Sequence, residues 1–206
     1  MSARGRFITV EGIDGAGKSS HLDFLCDLVR ARGFEVEKTL EPGGTPFGQA
    51  IRGVVLGHRT SALAEALAMF AARAAHVEDV IAPSLEAGRW VVCDRFTDST
   101  YAYQGGGRQL PAETLRTLES LVHPGLAPDA TFLFDIDPAT ARSRQQAQGR
   151  ALDEFEKREL EYHVRVRNAY LALHRRDPAR IQLIDASRGI EEVRAELASR
   201  FAQVLP

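Results

Sequence analysis

"VEGIDGAGKSSHLDFL", residues 10–25, sets glycines at 12, 15 and 17 ahead of Lys18 and Ser19. Gly12 to Ser19 fits the spacing G-x-x-x-x-G-K-[ST]. The run before it, RFITVE (6–11), reads as a strand, and Leu22, Leu25, Cys26 and Val29 recur after it at helical spacing. Strand, glycine loop and helix in that order predict a phosphate cradle. The glycines let consecutive backbone N–H groups turn inward, and the helix presents its positive end to the same anion. Gly12, Ile13, Asp14, Gly15, Ala16 and Gly17 are expected to form this cradle for the phosphates of a nucleoside triphosphate, together with Lys18, Ser19 and Ser20. Lys18 would neutralise the β/γ-phosphates and Ser19 would help hold Mg²⁺. A glycine-rich βα turn without a ligand is the plain alternative, and the coincidence of loop, strand and helix argues against it.

Working outward, four further strand-like runs, FEVEKTL (34–40), WVVCD (90–94), TFLFDID (131–137) and RIQLID (180–185), alternate with helical patterns. This predicts an α/β chain of the P-loop NTPase fold, a five-stranded parallel sheet flanked by helices. Helices are expected at about 18–32, ended by Gly33, across 61–87 with Pro83 kinking or splitting it, and near 96–104, 111–121, 138–148, 154–176 and 189–204. With no repeat or linker, the 206 residues read as one domain spanning 1–206. The net charge of -2 offers no field for wrapping nucleic acid, and a small phosphorylated ligand suits it better. Cys26 and Cys93 stand far apart, and no apolar run approaches the ~18 residues a membrane span needs, so a cytoplasmic protein without nucleic-acid or membrane partners is expected. The six histidines lack metal-ligand spacing and read as structural or solvent-exposed.

A bound triphosphate does not by itself imply transfer to an acceptor, since switches and motors use the same loop. The segment CDRFTDSTYAYQGGGR (93–108) begins at the C-terminal end of a buried strand, where open α/β sheets place ligands. Asp94 can act on the metal and Arg95 can reach the transferring phosphoryl group. Ser99, Tyr101, Tyr103 and Gln104 follow at a density suited to a base-and-sugar pocket.

In this segment the chain resembles bacterial thymidylate kinases, P-loop nucleoside monophosphate kinases whose pattern D-R-[FYH]-x-x-S-x-x-A-Y-Q is matched by residues 94–104. The resemblance runs on through EPGGTPFG (41–48), LDEFE (152–156) and IDAS (184–187). It implies transfer of the γ-phosphoryl of ATP to dTMP with Mg²⁺, in a homodimer. Residue by residue, it implies Glu11 near the acceptor's 3′-hydroxyl and the metal, and Arg52 on the 5′-phosphate. It further implies Arg73 on the thymine edge, Tyr103 under the deoxyribose, and Ser99 and Gln104 completing the pocket with Arg95. Where many relatives carry the phenylalanine that stacks on thymine, this chain has Met69 with Phe70 beside it, and either can cover the base. Leu40 replaces an arginine usual before the E-P-G-G segment.

The resemblance also implies a mobile basic lid, here about 142–153. The glycine loop carries no arginine, so the lid must supply one. Arg150 is the first candidate and Arg144 the second. The metal set implied is Ser19, Asp94 and Glu11, with Lys18, Arg95, Asp94 and the lid arginines catalytic. A kinase for UMP or dCMP is the nearest alternative, and a nucleotide-dependent switch is a more distant one, for which an N-K-x-D motif is missing.

Overall fold

The computed structural model describes residues 4–147, Phe155 and 158–204. Five strands, β1 (Phe7–Glu11), β2 (Val36–Leu40), β3 (Trp90–Asp94), β4 (Ala130–Asp135) and β5 (Ile181–Asp185), form one parallel sheet in the order β2-β3-β1-β4-β5. All five residues of β1 are buried, because the central strand of a sheet covered on both faces has no solvent side. The chain moves to one side of β1 to make β2 and β3, then crosses to the other side for β4 and β5. That reversal opens a crevice at the carboxyl ends of β1 and β3, whose register pairs Val10 with Asp94.

Helix α1 (Ser19–Arg30) buries Leu22, Leu25, Cys26 and Val29 as its periodicity predicts. Helix α2 (Pro46–Gly57) was not among the sequence expectations. Its interior glycines lower helix propensity, and it is held by a Thr45 cap, whose Oγ1 accepts from Gly48 N at 3.0 Å, and by packing on α3 (Ala62–His76). The predicted 61–87 helix is neither split nor regular. Its turn widens to π geometry at Val77–Ile81 and resumes as α4 (Ala82–Glu86), the widening falling just before Pro83, which lacks the N–H that an α-type ladder needs. The same widening follows α5 (Thr97–Thr100), over Tyr101–Gly107. Here Gly107 lets the segment press on α8 (Leu160–Arg176), since a Cβ would lie 2.4 Å from the Tyr162 ring. Helix α8 starts at Leu160, later than the expected 154, and Phe155 lies in a turn. Helices α6 (Ala112–Val122), α7 (Pro138–Ala147) and α9 (Ile190–Val204) complete the layers. No helix among the described residues is long and apolar enough to cross a membrane.

Candidate active site

The glycine loop leaves β1 through Gly12, at φ 138, where a Cβ would stand 2.4 Å from Phe134 O of β4. Only glycine lets the loop fold so tightly over the sheet. Lys18 is curled back, its Nζ donating to Gly12 O at 3.1 Å and Ile13 O at 3.2 Å. Burial and the nearby Arg95 lower its pKa, opposed by Asp94, Asp14 and Glu11. Ser19 and Ser20 are exposed in a cleft also lined by Gly15, Gly17, Lys18, Leu40, Asp94 and Arg144. Arg144 donates to the carbonyls of Ala186 and Ser187 at 2.8 and 3.2 Å. Arg150 lies outside the described residues, as does most of the predicted lid.

A second cleft adjoins the first. Its wall includes Met69, Arg73, Phe96, Ser99, Thr100, Tyr103, Gln104 and Phe155, and four residues, Asp14, Glu41, Arg52 and Arg95, line both clefts. Ser99, Tyr103 and Gln104 share one side because the wide turn brings residues four and five apart together. Of the two stacking candidates, Met69 faces this cleft. Phe70 does not, being 2% exposed and packed with Ala66 and Leu115 behind it. The Phe70 ring instead carries the Arg73 guanidinium, 4.7 Å from its centroid, and the Phe96 ring centroid lies 5.1 Å from the same group.

Arg73 is fully enclosed. Its Nε donates to Glu41 Oε2 at 2.8 Å and its Nη2 to Thr100 Oγ1 at 3.0 Å, while Nη1 is a buried donor with no partner among the described residues. Glu41 is held in turn by His76, whose Nδ1 lies 2.9 Å from Oε1 and whose Nε2 lies 2.7 Å from Thr39 Oγ1. A carboxylate only accepts, so Nδ1 carries the proton. His76, expected to be structural or exposed, is the buried support of this pair.

Arg95 occupies the wall between the clefts with φ 71, a conformation uncommon for a residue bearing a Cβ and concentrated at functional sites. Its guanidinium donates to Asp14 Oδ1 at 2.6 Å, Gly12 O at 2.9 Å, and the hydroxyls of Ser99 and Tyr103 at 3.2 Å each. Tyr103 also donates to Asp14 Oδ2 at 2.7 Å. Burial opposes ionisation of Asp14, but Arg95, Lys18 and the Tyr103 hydroxyl outweigh it and hold the carboxyl well below its usual range. Burial raises the Tyr103 and Tyr170 phenols, which therefore stay protonated and can donate.

Glu11 lines neither cleft. It is fully buried and accepts from Phe96 N at 2.7 Å, Ser99 Oγ at 2.6 Å and Tyr170 OH at 2.8 Å. Burial, reinforced by the charge of Asp98 and opposed by Arg95, Ser99 and Phe96, pushes its pKa up to about 7. It is a hub beneath the second cleft, tied through Ser99 to the lining of that cleft. Asp94 differs, for its Oδ1 is buried with no partner among the described residues, beside the cleft that Ser19 lines. Sequence reasoning missed Glu41, Thr100, Phe96 and Tyr170 as site residues. Glu41 carried a signal, an acid at the end of β2 before P-G-G, whereas Tyr170 sits mid-helix with none.

A two-cleft site around a phosphate loop can be compared with known proteins. Residues 10–197 match the family model described as thymidylate kinase. The chain is 52% identical over 197 residues to a thymidylate kinase of Bordetella petrii, covering 96% of this chain and 95% of that one. It is 50% identical over 204 residues to that of Chromobacterium violaceum, covering 98% and 96%. The crystal structure of thymidylate kinase from Ehrlichia chaffeensis superposes with a TM-score of 0.79 at 31% identity, covering 97% of this chain and 99% of that one.

Proposed function

The chain belongs to the thymidylate kinase family and catalyses ATP-dependent phosphorylation of dTMP, and from that premise we propose how its residues divide the work. One observation carries the assignment: the clefts share Arg52 and Arg95 in their common wall. The phosphate-loop cleft takes ATP. Lys18 leaves its two carbonyl partners for the phosphate oxygens, which are stronger acceptors because they are charged. The second cleft takes dTMP, with Met69 against the base, Arg73 Nη1 donating to a base carbonyl, the Tyr103 ring under the sugar, and Arg52 on the 5′-phosphate.

An oxygen of the dTMP phosphate attacks the γ-phosphorus as the bond to the bridging oxygen of ADP breaks, giving dTDP. That attacking oxygen is already anionic, so the residues position and neutralise rather than remove a proton. Arg95, fixed by Asp14 and Gly12, reaches from the common wall to the charge spread over the transferring group. Arg144, on α7 and lining the donor cleft, adds positive charge from that side.

Mg²⁺ fits this site. The unpartnered Asp94 Oδ1 and the exposed Ser19 hydroxyl border one cleft, and Mg²⁺ ordinarily takes one or two protein oxygens beside phosphates. When bound, the ion neutralises charge on the donor phosphate oxygens. We propose cytoplasmic action as a homodimer, with Val54 of α2 and Leu63 and Leu67 of α3, about half exposed, covered by a second copy.

A coupled ADP-release assay across dTMP, dUMP, UMP and dCMP, with and without chelation of divalent metal, tests the assignment. It predicts the highest kcat/KM for dTMP and loss of turnover on chelation. Equal use of dCMP, or turnover indifferent to chelation, would refute the base-edge or the metal assignment respectively.

A further inference from the structure

Glu65 lies on α3 behind the acceptor cleft and is 1% exposed. Its Oε2 accepts from Arg108 Nη1 at 2.5 Å and Arg158 Nη2 at 2.8 Å, and its Oε1 accepts from Gln104 Nε2 at 2.9 Å. Gln104 is itself 2% exposed and lines the cleft. A glutamine amide has a donor end and an acceptor end, and an isolated one can present either. A carboxylate clasped by two guanidinium groups offers only acceptor oxygens, so the NH₂ of Gln104 must turn toward Glu65. Its carbonyl Oε1, which no donor among the described residues meets, is then left for the cleft.

Arg73 supplies a donor to the same cleft through its unpartnered Nη1. A donor and an acceptor lining one cleft complement the imide edge of a thymine or uracil ring, whose O4 accepts and whose N3–H donates. A cytosine ring has the reverse pattern, an amino donor beside an N3 acceptor. We propose that Glu65 is a specificity-determining positioning residue, which locks the Gln104 amide so that the cleft selects an imide base edge. The proposal rests on the assignment of this cleft to the acceptor.

Replacement Glu65→Gln permits Gln104 to turn over, since the new amide can donate as well as accept. Glu65→Asp keeps a charge for the arginines but draws it back from Gln104 by one methylene. In either variant the kcat/KM ratio of dTMP to dCMP falls by about 10-fold or more, mainly through a higher KM for dTMP, as expected when a polar group on a base edge loses its partner. The ratio of dTMP to dUMP stays unchanged, because both bases present the same imide, and the KM for ATP is unmoved. A general loss of structure would shift all of these together. Gln104→Leu removes the acceptor without touching the Glu65–arginine contacts. It should produce the same fall, and adding Glu65→Asp to it should produce no further one.

An unchanged dTMP to dCMP ratio in any folded one of these variants, or a fully additive double variant, overturns the proposal. If Arg73→Ala also leaves the KM for dTMP untouched, the acceptor assignment of the cleft has failed instead.

Discussion

Replacing Arg73 with alanine should have separable effects on binding and on stability. Arg73 is 2% exposed and its Nε lies 2.8 Å from Glu41 Oε2, itself 5% exposed. Removing the guanidinium strands a buried carboxylate whose remaining side-chain partner is His76, and breaking one side of a buried ion pair costs about 3–5 kcal/mol. For a chain of 206 residues that corresponds to a fall in Tm of roughly 6–20 °C. The lost base contact is smaller, roughly 1.5–3 kcal/mol for a charged donor, or about 10- to 150-fold in the Kd for dTMP. Glu41→Gln should separate the two, since in Arg73→Ala/Glu41→Gln no buried charge is stranded. Most of the lost Tm should return while dTMP binding stays weak. Calorimetric titration with dTMP and with an unhydrolysed ATP analogue, beside thermal unfolding of both variants, supplies the measurements. Recovery of dTMP affinity along with Tm would show that Arg73 acts through the fold alone, and an equal loss for the two nucleotides would refute its place on the acceptor side.

Lys18→Ala should lower kcat by a factor on the order of 10² to 10⁴ with Tm little changed, and near-normal turnover in the folded variant contradicts the donor assignment. Tyr103→Ala should lower the kcat/KM preference for dTMP over its ribonucleotide analogue by roughly 1–3 kcal/mol, and Tyr103→Phe should retain it, because a steric gate depends on the ring. Tyr103→Phe should nonetheless lose stability, since its hydroxyl bridges Asp14 and Arg95. Glu11, with its pKa raised from 4.5 to about 7, favours the folded state most when protonated. That contribution is complete below about pH 4.5 and is lost as pH rises through about 7. Relative to Glu11→Gln, the wild type should therefore lose about 3 kcal/mol across that interval, read from urea unfolding at successive pH values, and parallel pH profiles refute it.

The glycine loop, the five strands and most helices are written in short stretches of sequence, because turn chemistry, apolar runs and 3.6-residue spacing act locally. The D-R segment was equally legible, its polar residues standing within one continuous run. Helix α2 was not, since its glycines weaken the local signal and its cap and its packing on α3 hold it. Met69 and Phe70 are neighbours about 100° apart on one helix, and tertiary packing, in which Phe70 is buried against Leu115 of α6, decides which of them faces the cleft. Glu11 could be located at its strand end but not given its surroundings, because Tyr170 reaches it from 159 residues away. The pairing of Arg73 with Glu41, and of Gln104 with Glu65, likewise joins residues 32 and 39 apart in the chain. Residue types and local spacing determined which groups the chain owns. Long-range packing decided which of them meet, and so which donors and acceptors are left unpaired for a ligand.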